Sequence, residues 1–192
     1  MANPTSKRQR LLDQIRDQII VDGVTPELAS SALQMVFGSG NPESQLVLIG
    51  EAPGAKEDQA GEPFVGASGK FLNQMLESIG LDRSDVYITN IVKYRPPSNR
   101  DPRPAEIAAF VPYLKAQLEI IDPRLIVFLG RHSMNVFLPE LKISETHGQV
   151  VQRDGYSYLP LFHPAAALYN PKMRETLLTD FATIPAILHE LP

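Results

Sequence analysis

A three-layer α/β/α sandwich around a central four-stranded parallel sheet is the fold this sequence predicts. Three observations point to it. Four short apolar runs rich in β-branched residues occur along the chain, at 46–49, 86–91, 125–129 and 158–162. Patterns of helical length separate them, giving a β-helix-β-helix-β-helix-β order. Polar loops rich in glycine and proline follow the runs, where α/β folds keep their reactive groups.

The elements can be justified in chain order. Residues 7–20 read as a helix and residues 26–35 as a weaker one. The run LVLIG is the first strand. In SGKFLNQMLESIG, Ser68 is the expected cap, Leu72, Leu76 and Ile79 share a face, and Gly80 offers a left-handed exit. The second strand, 86–91, ends in Tyr87-Ile88-Thr89-Asn90. In RPAEIAAFVPYLKAQLEII, Pro104 suits a first turn. Ile107, Val111, Leu114, Leu118 and Ile121 then recur at steps of four and three. Pro112 should kink that helix or mark a 3₁₀ start, because it has no N–H to donate. LIVFL and YLPLF are the last two strands. Residues 171–188 form a final helix with an interruption expected at Pro185.

The 192 residues suffice for a single domain with one buried core, and one domain over 1–192 is the expected organisation. The first twenty residues are too polar for a signal peptide, and no apolar run could cross a bilayer, so a cytoplasmic protein is expected. A net charge of −4 argues against wholesale wrapping of nucleic acid, but leaves room for a local basic rim. The chain has no cysteine, which excludes disulfides, thiol catalysis and cysteine-held metals or clusters. His132, His147, His163 and His189 show no close ligand spacing, and no metal is expected.

Three loops carry the chemistry. The first reads Gly50-Glu51-Ala52-Pro53-Gly54-Ala55-Lys56-Glu57-Asp58. It lacks both the triphosphate-loop and the dinucleotide glycine patterns. A carboxylate at a strand end beside flexible backbone suits holding a water, although a solvated acidic turn looks the same. Phe64, in EPFVG, could stack a planar base or simply plug the loop. Asn90 offers an acceptor and two donors for a carbonyl and a neighbouring ring N–H, or a turn cap. Lys93, Arg95, Arg100 and Arg103, four cations within eleven residues, could contact phosphates. Pro164 restricts the backbone of His163, whose imidazole could donate to a carbonyl or steady a leaving anion. His132, at a helix start, reads as a capping or surface residue.

Taken together, GEAPGAKEDQAGEPFVGASGKFLNQMLESIGL, VYITNIVKYRPPSNRDPRPAEI, IVFLGR and LPLFHPAAAL closely resemble the family 4 branch of the uracil-DNA glycosylase superfamily. The resemblance implies removal of uracil from DNA by hydrolysis, leaving an abasic site for base excision repair. It implies Glu51 as the holder of the attacking water, with Glu57 supporting the loop or the water. It implies Phe64 stacked on a flipped uracil, Asn90 reading the base edge, and Ala52 lending backbone bulk to the pocket. His163 would lie near uracil O2, and Pro53 and Pro164 would press on the DNA strand. Uracil-containing DNA is the implied partner of a chain expected to be monomeric.

The chain departs from the family in one respect. Family members usually hold a [4Fe–4S] cluster through four cysteines, and the later two correspond to Tyr94 and Phe110. The expectation is therefore no cofactor, with aromatic packing in place of metal. A related branch bonds covalently to DNA through a histidine in the loop equivalent to RPPSNRDPRPAE. No histidine occurs there, so non-covalent turnover is expected. Two alternatives stay open: a weak or inactive binder of damaged or single-stranded DNA, and a glycosylase for another deaminated base.

Overall fold

The computed structural model describes residues 6–191. In chain order the elements are α1 (Lys7–Val21), α2 (Pro26–Ser31), β1 (Ser39–Gly40), β2 (Leu46–Gly50), α3 (Ala55–Ala60), α4 (Ala67–Ser78), β3 (Tyr87–Asn90) and α5 (Pro104–Ile121). They continue with β4 (Leu125–Leu129), α6 (Arg131–Phe137), α7 (Ile143–Thr146), β5 (Val151–Arg153), β6 (Tyr156–Leu161), α8 (Pro171–Phe181) and α9 (Ile184–Glu190). The result is an α/β fold with a central mixed sheet flanked by helices.

The sheet has six strands in the order β1-β3-β2-β4-β6-β5. The four predicted strands pair in parallel at its centre, with Leu48 opposite both Ile88 and Val127, and Val127 opposite Leu159. Two short antiparallel edge strands, β1 and β5, correct the expectation of four strands. Neither announces itself, because β1 has two residues and β5 is only partly buried.

Alternation along the strands divides the core. Val47, Ile49, Ile126 and Phe128 face one cluster with Leu12, Leu28 and Phe110 from α1, α2 and α5. Leu46, Leu48, Val127 and Leu161 face the other, with Leu72, Leu177 and Ile184 from α4, α8 and α9. Because both faces are covered, the strands read as unbroken apolar runs.

Three local expectations need revision. Helix α4 starts at Ala67 with Gly66 as its cap residue, so Ser68 sits inside the first turn. Helix α5 runs as one α-helix through Pro112, which is exposed, with no 3₁₀ start there. At the C-terminus Pro185 stands in the first turn of α9, where a missing N–H costs nothing, and the break precedes it.

Strand order positions the site. From β2 the chain leaves through α3 and α4 to β3 on one side. From β4, its neighbour in the sheet, it leaves through α6 and α7 toward β5 and β6 on the other. Such a reversal opens a crevice beyond the carboxyl ends of the two strands.

Candidate active site

A cavity of about 370 Å³ lies over that end of the sheet. Glu51, Ala52, Pro53, Gly54 and Glu57 line it from the loop after β2 and from α3, Phe64 from the turn before α4, Asn90 from the end of β3, and His163 from the end of β6. Stretches far apart in the sequence thus meet in one place.

Glu51 follows the last residue of β2. Its Oε1 is buried and has no hydrogen-bond partner among the described residues. Burial raises its pKa, and Asp101 adds to this, while His132 and Arg131 work the other way. An orphaned carboxylate oxygen facing a cavity is suited to accept a bond from a water or ligand. Glu57 is already committed. Its Oε1 accepts the N–H groups of Val65 at 2.9 Å and Gly66 at 2.8 Å, tying down the turn that carries Phe64.

Phe64 occupies the left-handed region, with φ of 54°. For a bulky non-glycine residue this is strained, by an amount on the order of 1–3 kcal/mol, and it persists only where the surroundings hold it. Arg83 supplies part of that hold, donating through Nη1 to the Phe64 carbonyl at 3.0 Å and through Nη2 to that of Pro63. Gly69 supplies more: a Cβ there would lie 1.8 Å from the Phe64 carbonyl oxygen.

Asn90 is 2 % exposed. Its amide and the Phe64 ring meet over Gly50, where a Cβ would stand 2.4 Å from Asn90 Oδ1 and 2.6 Å from the ring edge. The glycine is required by the close approach of both groups.

His163 sits 5.7 Å from the Phe64 ring, centroid to centroid. Burial lowers its pKa to about 4, with His132 acting in the same direction and Glu57 opposing. The imidazole is therefore neutral near pH 7. Its Nδ1 accepts from the Ala165 N–H at 3.1 Å, which leaves the proton on Nε2. A neutral N–H donor is the consequence.

The expected basic patch is smaller than its sequence. Lys93 does not belong to it, because its side chain is 0 % exposed. Its Nζ donates to Thr89 Oγ1 at 2.7 Å, the Asn90 carbonyl at 2.7 Å and Gln117 Oε1 at 2.6 Å. Burial pushes its pKa well down, whereas three acceptors match the three N–H bonds of an ammonium. Arg100 is paired with Glu106 through both terminal nitrogens, and Arg95 donates to Asn99. Arg103 stands exposed. Pro53 and Pro164, expected to press on DNA, are also buried. They stiffen their loops and leave Ala165 and Ala166 as the exposed surface.

Tyr94 and Phe110 meet at 6.1 Å between ring centroids inside the first core cluster. Neither ring can ligate iron, and no cysteine exists to replace them, so these residues do not fit a cluster.

Sequence reasoning passed over His132 and Asp101. The first residues of α6 carry His132 to the β2–β4 crevice, with Nδ1 3.7 Å from Glu51 Oε1 and Nε2 3.9 Å from Asp101 Oδ2. Only the strand order reveals this, since the three residues lie far apart in the chain. Their donor atoms fall within 4.8 Å of one another, but they number three and Asp101 is largely exposed, and we assign them no metal. Among the described residues no helix is long and apolar enough to cross a membrane.

The sequence pattern of the Uracil DNA glycosylase superfamily matches residues 37–183. The type-4 uracil-DNA glycosylase of Sulfurisphaera tokodaii is 47% identical over 161 residues, covering 78% of this chain and 72% of that protein. The corresponding protein of Archaeoglobus fulgidus is 48% identical over 167 residues, covering 82% of this chain and 84% of its own. The type-5 uracil-DNA glycosylase of Thermus thermophilus is 35% identical over 118 residues, with 54% and 53% covered.

Proposed function

Since this chain belongs to the uracil-DNA glycosylase superfamily, on its type-4 side and without the cysteines of an iron–sulfur cluster, we propose that it hydrolyses the N-glycosidic bond of uracil flipped out of DNA. The product is an abasic site, and the reaction is monofunctional and non-covalent. The observation that carries this reading is the convergence of Glu51, Phe64, Asn90 and His163 on one cavity at the carboxyl ends of parallel strands.

The roles follow from chemistry. The Phe64 ring stacks on the extruded base, and the Asn90 amide reads its edge through one acceptor and two donors. As the C1′–N1 bond lengthens, negative charge gathers on the base and positive charge on the sugar. The Nε2–H of a neutral His163 donates to the developing oxyanion without neutralising itself first. Glu51 holds the water that attacks C1′. Arg100, which lines the cavity, and its loop neighbours Arg95 and Arg103 contact DNA phosphates, and Ala52 and Gly54 limit the pocket with backbone. The working form is a monomeric, cytoplasmic repair protein acting in base excision, and its finer architecture is that of the glycosylase sandwich.

The test is a labelled oligonucleotide carrying one uracil, treated with alkali after incubation, beside Glu51→Gln and His163→Ala. Cleavage by the parent protein that falls at least about 100-fold in both variants supports the assignment. Intact DNA with retained binding would move the chain to the damage binders. Cleavage only of oligonucleotides bearing another deaminated base would change the substrate.

A further inference from the structure

We propose that His132 is a catalytic residue that holds the attacking water jointly with Glu51. The inference rests on the glycosylase reading of this site and adds a residue to its machinery.

Four observations lead there. Glu51 Oε1 is buried yet unbonded among the described residues, so the cavity wall presents one acceptor with no donor. His132 Nδ1 stands 3.7 Å away, too far for a direct hydrogen bond. A water about 2.8 Å from each atom would bridge them. The ring's orientation is set from its other side. Arg131 Nε donates to His132 Nε2 at 3.3 Å, which leaves the ring proton on Nδ1, the nitrogen that faces Glu51. Finally, His132 and Glu51 flank the reversal in strand order between β2 and β4, where this fold opens its crevice.

The step balances simply. The bridging water accepts from His132 Nδ1–H and donates one proton to Glu51 Oε1, leaving a lone pair for C1′. A C1′–O bond forms, the C1′–N1 bond breaks with its electron pair departing on uracil, and the water proton passes to Glu51. The uracil anion later takes a proton from solvent. His132 orients the water and keeps its own proton throughout.

His132 also bears on when Glu51 is ionised. The charged and titratable groups around that carboxyl are His132 and Arg131 from α6, Asp101 from the loop after β3, Glu57 from α3, and neutral His163 from the end of β6. In its charged form His132 counters the effect of burial on Glu51, and its removal takes that away. The carboxyl then stays protonated to higher pH.

The experiment compares parent protein, His132→Ala, His132→Gln and Glu51→Gln in single-turnover cleavage of a uracil oligonucleotide across pH. Affinity for the same oligonucleotide bearing an uncleavable 2′-fluorinated deoxyuridine and thermal melting are measured alongside. His132→Ala should lose about 100-fold in the cleavage rate constant, with affinity and melting unchanged and the acid limb moved to higher pH. The glutamine variant, which restores an N–H donor, should recover part of the rate. Parent-like cleavage by His132→Ala, while Glu51→Gln is inactive, would overturn the inference and leave the glycosylase reading intact. A loss confined to affinity would overturn it as well. A parent protein that cleaves no uracil would remove the functional reading and the inference together.

Discussion

Replacing Lys93 by methionine separates a buried strut from a phosphate contact. The substitution keeps the length and apolar body of the side chain and deletes an amine that donates to Thr89, Asn90 and Gln117. Thr89 retains a partner, because its hydroxyl donates to the Phe37 carbonyl at 2.8 Å. The Asn90 carbonyl and Gln117 Oε1 each lose a buried donor, at about 1–3 kcal/mol apiece. Relief from burying an amine offsets part of this, so a net loss of about 2–4 kcal/mol is expected. For a chain of this size that lowers Tm by about 4–16 °C. Circular dichroism melts measure it. The dependence of DNA affinity on salt supplies the contrast: Lys93→Met should leave the log–log slope unchanged, whereas Arg103→Ala should reduce it by about one. Parent-like melting, or a slope reduced as in Arg103→Ala, would refute the reasoning.

Gly50→Ala places a methyl group against Asn90 and Phe64 together, so uracil cleavage should fall about 100-fold while the overpacking cost stays at about 1–3 kcal/mol, read by rate and melt. The pH–rate profile should lose activity on its acid side above the ordinary glutamate range, because the Glu51 pKa is raised, whereas His163 stays neutral until about pH 4. An acid limb at the ordinary value, unmoved in Glu51 variants, would contradict this. Phe110→Ala removes a fully buried ring that packs on Tyr94 and should destabilise by about 3–5 kcal/mol in denaturant unfolding. A small effect would mean that the Tyr94–Phe110 ring pair carries little of the core's stability.

Much of the fold was legible because its physics is local. A strand buried on both faces must be apolar along its whole length, so β2 and β4 stand out in the text, as does the apolar face of α4. Pro104 at the start of α5 and Gly80 after α4, with φ of 75°, obey backbone rules readable one residue at a time. The edge strands were not legible, since two or three partly exposed residues pair only because a neighbour is present. The same holds for Ser68: what decides the start of α4 is Glu57, nine residues before Gly66, reaching forward to its N–H.

By itself, the sequence determined the residue types available to the site and the order of its loops. It also excluded any thiolate-held metal, since that requires only the absence of cysteine. Tertiary structure decided which of those residues meet. Lys93 reads as a phosphate-binding cation until β3 and α5 close over it, because burial is a property of the surroundings and not of the residue. His132 reads as a surface residue until strand order sets it beside Glu51, 81 positions away in a chain whose spacing carries no trace of that contact.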